Sequence, residues 1–289
     1  MKRFAVVLFI LLSACAGAVP AQTTQTETPE FAAETSQATE LSPLVVTSVP
    51  DILPSLSALQ PGPVTLVALG DSLTAGDGDD TGRGYPGRVL EMVNAVRPDS
   101  TLVNLGQSGW SSDALINGDQ GIESQLTRAV AEVTSAVSQG RNPVALVWIG
   151  SNDLWYLYEY GEGSDENDAA DAERFTANMD AIIGQLRGAG AQVIVALLDD
   201  QSKRPVALKG EAFVSIATDE LNRMSAQVVR YNQIIYDKAA QYRIPIVDFY
   251  STDIFTNPGT LYDDGNHPNS AGYDIIAQMW FEVLSRILQ

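Results

Sequence analysis

The chain contains one histidine, His267, within Asp263-Asp264-Gly265-Asn266-His267-Pro268-Asn269. An unperturbed imidazole titrates near pH ~6.5, so it can take and return a proton close to neutrality. A serine hydroxyl is a weak nucleophile until a neighbouring base removes its proton. One histidine and a suitably placed serine are therefore enough for acyl transfer. Three other short segments are rich in the small polar residues such chemistry uses: Gly70-Asp71-Ser72-Leu73-Thr74-Ala75-Gly76, Asn104-Leu105-Gly106-Gln107-Ser108-Gly109 and Gly150-Ser151-Asn152-Asp153. Taken singly, each has a plainer reading. The first is a turn whose Gly supplies positive φ and whose Asp or Ser caps the next segment. The second is a Gly-rich loop and the third a β-turn. A lone histidine is more often a satisfied core or surface residue than a base.

The elements that must position these segments are legible as short apolar runs alternating with longer amphipathic ones. Val64 to Leu69, Leu102 to Leu105, Val144 to Ile149, Val193 to Leu198 and Ile246 to Phe249 read as five strands. Tyr85 to Val96, Ile122 to Ser138, Ala172 to Arg187, Leu221 to Tyr242 and Ala271 to Leu288 read as helices, with apolar residues at helical spacing such as Ile122, Leu126, Ala129, Val130 and Val133. Continuous apolar strands alternating with helices predict a parallel sheet covered on both faces, a three-layer α/β/α sandwich. Ligands of such sheets sit beyond the carboxyl ends of the strands, near the point where strand order reverses. Three of the four polar segments directly follow the first, second and third strands, and the histidine segment lies beyond the fifth.

In that setting the four segments, in this order, resemble the characteristic blocks of the GDSL/SGNH hydrolases. The resemblance covers roughly Val64 to Gln289. It implies the SGNH fold, with a flavodoxin-like five-stranded parallel sheet, and not the α/β-hydrolase fold, whose GxSxG elbow is absent from this sequence. It further implies that Ser72 is the nucleophile, His267 its base and Asp264, three residues earlier, the carboxylate that holds the imidazole in the correct tautomer. Asp263, at an offset of four, is the alternative partner. The oxyanion donors implied are the N–H groups of Ser72 and Gly109 (Gly109 rather than Gly106) and the side-chain amide of Asn152, with Asp153 as scaffold. The chemistry implied is two-step acyl transfer from a carboxylic ester, requiring no metal or organic cofactor.

Two segments are candidates for choosing the substrate. Leu154 to Gly163 follows the Asn152 block and carries Trp155, Tyr156, Tyr158 and Tyr160. Its aromatics, Trp155 and Tyr156 first, are expected either to wall the site or to open the next helix as core residues. Asp199 to Val206 carries Lys203 and Arg204 in an otherwise acidic protein and reads more readily as a solvated loop than as part of the site's mouth.

Composition narrows the partners. With 17 Lys+Arg against 36 Asp+Glu the formal net charge is -19, which repels a phosphate backbone and argues against nucleic acid. The sole cysteine, Cys15, excludes an intramolecular disulfide. Met1-Lys2-Arg3 followed by the apolar run Phe4 to Leu12 has the layout of a secretory signal, and the run is too short to span a bilayer, which takes ~20 residues. Leu12-Ser13-Ala14-Cys15 resembles a bacterial lipobox, implying a signal peptide over 1–14 and acylation of Cys15. Residues 15–61, rich in Thr, Gln, Glu, Ser and Pro, read as a flexible stalk, and 62–289 as the hydrolase domain. The expectation is an extracytoplasmic, lipid-anchored esterase of lipid or small acyl esters. A deacetylase of extracellular polysaccharide is the alternative within the same chemistry, and a non-catalytic surface protein that binds glycan or lipid is a third reading.

Overall fold

A computed structural model describes residues 58–161, 163–209 and 216–288. The expected signal peptide, Cys15 and the expected stalk as far as residue 57 lie outside the described residues. Five strands, β1 (Val64–Gly70), β2 (Thr101–Asn104), β3 (Asn142–Trp148), β4 (Gln192–Ala196) and β5 (Ile246–Val247), form one sheet in the order β2-β1-β3-β4-β5, with every pairing parallel. This is the flavodoxin-like order that the family resemblance implies, within the parallel sheet that the alternating pattern predicts. All seven residues of β1 and of β3 are buried, whereas β2 is a partly exposed edge, so the continuous apolar runs mark the strands covered on both faces.

The helices are α1 (Ser72–Ala75), α2 (Gly84–Val96), α3 (Ser112–Asn117), α4 (Gln125–Ser138), α5 (Ser151–Glu159), α6 (Asp165–Ala189), α7 (Pro205–Lys209), α8 (Thr218–Tyr242) and α9 (Ser270–Ser285). The pair α2 and α9 forms one layer, while α4, α6 and α8 form the other. Local chemistry sets several helix ends. Ser124 caps α4 by accepting from the Thr127 N–H, Ser164 caps α6 by accepting from Asn167, and Gly190 closes α6 in the left-handed region. Between the sheet and the α2/α9 layer, Trp148 stacks on Phe249 at 4.3 Å and Tyr85 on Trp280 at 5.4 Å.

The connection from β1 runs to one side of the sheet and that from β2 back across to the other, so strand order reverses between β1 and β3. Gly70, the last residue of β1, is in register with Trp148, the last of β3. The segments starting at Asp71 and at Ile149 therefore leave the sheet side by side at this crevice. Folded structure also begins slightly earlier than the stalk boundary at 61 implied: the Leu59 N–H donates to Ile287 O, and Gln60 O accepts from Arg97 and Asn142. The apolar side chain of Leu59 packs on the core, and sequence composition averaged over the stalk conceals that single anchor.

Candidate active site

β1 ends at Gly70, where a Cβ would lie 2.2 Å from Trp148 O and from Thr74 Oγ1, so only glycine lets the chain turn here against β3. Asp71 caps the one-turn helix α1 through its Oδ1, which accepts from the Leu73 N–H at 3.0 Å. Ser72 is thereby fixed at the carboxyl end of β1. Its Oγ lies 2.9 Å from His267 Nε2, and His267 Nδ1 lies 2.6 Å from Asp264 Oδ2. An ionised carboxylate only accepts, so Nδ1 carries the hydrogen and Nε2 presents its lone pair to the serine hydroxyl. Asp264 also accepts from the N–H groups of Asn266 and His267, at 2.8 and 3.0 Å. Burial pushes its carboxyl up, but these hydrogen bonds, the one from the imidazole foremost, outweigh it and hold the group below the usual carboxylate range. Asp263, the alternative partner, is exposed and makes no hydrogen bond to His267.

The two loops beside Ser72 are tied to each other. Asn152 donates one amide hydrogen to Trp110 O at 3.0 Å, which orients the amide and leaves its second hydrogen for another acceptor. Gly109 adopts φ +79°, a conformation glycine holds without strain, and its carbonyl accepts from Tyr156 Oη at 2.5 Å. Among the described residues the backbone N–H groups of Ser72 and of Gly109 make no hydrogen bond. Gly106 has a different part: a Cβ there would lie 2.4 Å from Ala75 N, so its smallness lets the second loop pack on α1. Asp153 is buried and accepts from the Ser112 N–H and Oγ, at 2.8 and 2.5 Å, and from Arg174 at 3.1 Å. It thus ties α3, α5 and α6 together beneath the site, the scaffold role expected for it.

Two expectations are corrected. Trp155 is only 2% exposed and sits in the core, so it does not wall the site. Its neighbour Tyr156 is partly exposed and faces a cavity beside Gly109. Arg204, expected in a solvated loop, is likewise 2% exposed. It forms a two-pronged ion pair with Asp199 at 2.6 and 2.9 Å, lies over the Phe255 ring at 4.5 Å and donates to Asn266 Oδ1 at 2.7 Å. Only Lys203 of that pair faces solvent, beside Asp200 at 3.0 Å.

Gly78 is a further residue of the site that the sequence does not single out. At φ +85° its backbone approaches the histidine loop so closely that a Cβ would lie 2.6 Å from Pro268 O and 3.0 Å from His267 Cβ. Its position six residues after Ser72, in a stretch of Gly and Asp, gives no signal of that contact. No three His, Cys, Asp or Glu side chains among the described residues are grouped to hold a metal ion.

Among solved structures the chain is similar to a member of the lipolytic protein G-D-S-L family from Veillonella parvula, at 19% identity and TM-score 0.50 over 77% of this chain and 99% of that one. It is similar to LAE5, an α/β hydrolase enzyme from the metagenome of Lake Arreo, at 19% identity and TM-score 0.52 over 80% and 98%. The acetylxylan esterase Axe2 of Geobacillus stearothermophilus matches at 18% identity and TM-score 0.51 over 78% and 96%. Protein YpmR of Bacillus subtilis, itself uncharacterized, is 23% identical over 236 residues, covering 77% of this chain and 82% of that protein. At these identities the solved structures establish the shared fold. The family model for GDSL-like lipases and acylhydrolases matches residues 68–275, a span running from β1 into α9 and taking in all four polar segments. The chain belongs to the GDSL-like lipase/acylhydrolase family and is an ester hydrolase.

Proposed function

We propose that Ser72, His267 and Asp264 hydrolyse carboxylic esters by two-step acyl transfer. The observation that carries this reading is the unbroken chain of hydrogen bonds from Ser72 Oγ through His267 to Asp264, at 2.9 and 2.6 Å. In the first step Ser72 Oγ attacks the ester carbonyl as its proton passes to Nε2. The tetrahedral oxyanion is met by the N–H groups of Ser72 and Gly109 and by the free amide hydrogen of Asn152, and the developing imidazolium is stabilised by Asp264. The imidazolium then gives its proton to the departing alcohol, leaving an acyl-serine. In the second step water, deprotonated by Nε2, attacks the acyl-serine, and the same proton returns to Ser72 as the acid leaves. The three donors are supported by their freedom from other partners, since preorganised, unengaged donors cost no reorganisation as charge develops.

The test is hydrolysis of p-nitrophenyl acetate by the full chain and by Ser72→Ala. The variant is expected to lose activity by about 10,000-fold or more while melting at the wild-type temperature. Retained turnover in a folded Ser72→Ala protein contradicts the assignment.

The substrate is taken to be met outside the cytoplasm, by a protein tethered through an acyl chain on Cys15. The support for this is the leader sequence and the single cysteine at the position where a lipobox needs it. Replacing Cys15 by Ser should move the protein from the membrane fraction to the soluble one, and unchanged fractionation contradicts the anchor.

A further inference from the structure

Two of the three oxyanion donors reach the site from different elements, the Asn152 amide from α5 and the Gly109 N–H from the loop after β2. That loop turns sharply. The Trp110 N–H donates to Gln107 O at 3.2 Å, Gly109 sits at φ +79°, and Ser108 before it is not in the positive-φ region. These are the marks of a type II turn, whose third residue calls for glycine. Glycine also populates several backbone regions with similar ease. The turn thus admits Gly109 without strain, but the residue has no side chain of its own to keep its N–H aimed one way.

The grip on the turn comes from α5. Residues four apart on a helix share a face, and Asn152 and Tyr156 use theirs to hold consecutive carbonyls. Asn152 Nδ2 donates to Trp110 O at 3.0 Å, and Tyr156 Oη donates to Gly109 O at 2.5 Å. On the entry side Ser108 Oγ donates to Asp77 Oδ2 at 2.7 Å, an exposed bond for which water competes. Tyr156 and Gly109 are also matched in shape, since a Cβ at 109 would lie 3.3 Å from the tyrosine oxygen. Burial, and then the neighbouring Tyr160 and Glu159, push the Tyr156 hydroxyl above its usual range. It therefore keeps its proton at neutral pH and remains a donor to the carbonyl.

We propose that Tyr156 is a positioning residue for ester hydrolysis: its hydroxyl pins the Gly109 carbonyl, so that the Gly109 N–H and the Asn152 amide, both held from one face of α5, meet the oxyanion as one preorganised unit. The inference rests on the esterase reading and adds a residue to it. The role belongs to the hydroxyl and not to the ring. Both steps of acyl transfer pass through an oxyanion, so the contribution falls on kcat whichever step limits turnover, and not on the binding of the uncharged ester.

The test is p-nitrophenyl acetate hydrolysis by the full chain carrying Tyr156→Phe, which removes the hydroxyl and keeps a ring beside Tyr160. A roughly tenfold fall in kcat is expected, short of the 100- to 1,000-fold typical of a donor removed outright. KM and the melting temperature should change little. Phenylboronic acid, whose adduct on the serine is tetrahedral like the intermediate, should bind the variant more weakly by about the same factor. Wild-type kcat in Tyr156→Phe, or a rise in KM alone, overturns the positioning role and leaves the esterase reading standing; the second result would make Tyr156 a substrate contact. A fall in kcat with no loss of affinity for the boronic acid overturns it as well. Absence of turnover in the wild type itself removes the esterase reading and this inference with it.

Discussion

The guanidinium of Arg204 donates to the side-chain oxygen of Asn266 at 2.7 Å, one residue before the histidine that faces Ser72. The Val206 N–H adds a bond to Gly265 O at 3.1 Å, and Gly265 lies against Pro205. The segment after β4 is therefore a clamp on the histidine loop, itself held by the buried Asp199–Arg204 pair. Replacing Arg204 by Lys keeps a charge but loses the planar fork that serves Asp199 and Asn266 together. The expected result is a roughly tenfold or greater fall in kcat with little change in KM, accompanied by a lower melting temperature. Arg204→Met, which leaves Asp199 buried without its partner, is expected to cost roughly 3–5 kcal/mol of stability by denaturant titration.

Gly78 supports the histidine from the other side. Alanine there is strained at φ +85° and its Cβ meets Pro268 O and His267 Cβ, so the loop carrying the imidazole must move. A shift of about 1 Å at a reacting group costs on the order of 100-fold. Gly78→Ala should therefore lower kcat by tenfold to 100-fold, whereas Gly82→Ala, where a Cβ meets nothing within 4 Å, should lose a few tenths of that effect on a logarithmic scale at most. Equal losses in the two variants would point to general loop strain instead.

Asn152→Ala removes both the amide hydrogen on Trp110 O and the one left for the oxyanion. A fall of roughly 100- to 1,000-fold in kcat is expected, the magnitude typical of one lost oxyanion donor. KM for p-nitrophenyl acetate should change far less, because the donor's partner carries full charge only in the transition state. A variant altered in KM alone would show Asn152 to be a ground-state binding group.

Much of this is visible in the sequence, and the parts that are not share physical causes. The five strands and five long helices follow from apolar periodicity sustained over enough residues to be read. The short helices α1, α3, α5 and α7 do not, since four to nine residues hold too few turns to display a period. Ser72, Gly109 and Asn152 are legible because each stands in a compact motif just after a strand, and Asp264 and His267 because they share one just before the last helix. Arg204 is misplaced by sequence alone, and Trp155 is left open between wall and core, because their surroundings come from elsewhere in the chain. An arginine in an acidic irregular stretch looks solvated until the Phe255 ring and Asn266 are folded onto it. A tryptophan beside a polar motif reads equally as wall or core until helix α5 buries it. Gly78 goes unnoticed because a contact 189 residues away in the chain leaves no local trace.

Asp71 provides a test of the electrostatics under the nucleophile. Burial raises its carboxyl to about 7, against the hydrogen bond from Leu73 and the charge of Arg204, with Asp153 and Asp199 adding to the rise. The folded state therefore binds a proton that the unfolded chain releases near the usual 3.8. The stability this contributes is complete below about pH 4 and is lost as pH rises through 7. Asn at this position keeps an acceptor for Leu73 without ionising. Relative to wild type, Asp71→Asn should gain stability from pH 4 to 7 and level off above it, by up to a few kcal/mol at roughly 1.4 kcal/mol per unit. Denaturant titrations across that range, giving a constant difference between the two proteins, would contradict the raised value.

Covalent trapping of Ser72 tests the nucleophile and its base without any choice of ester. The full chain is treated with a fluorophosphonate and the labelled peptide identified by mass spectrometry, in parallel with His267→Ala and Asp264→Asn. One label per chain is expected, on Ser72, formed rapidly in the wild type and slower by on the order of 1,000-fold or more without the histidine, with the Asn variant also strongly slowed. Labelling at another residue, or labelling of Ser72 at the wild-type rate when His267 is gone, would contradict the Ser72–His267–Asp264 assignment.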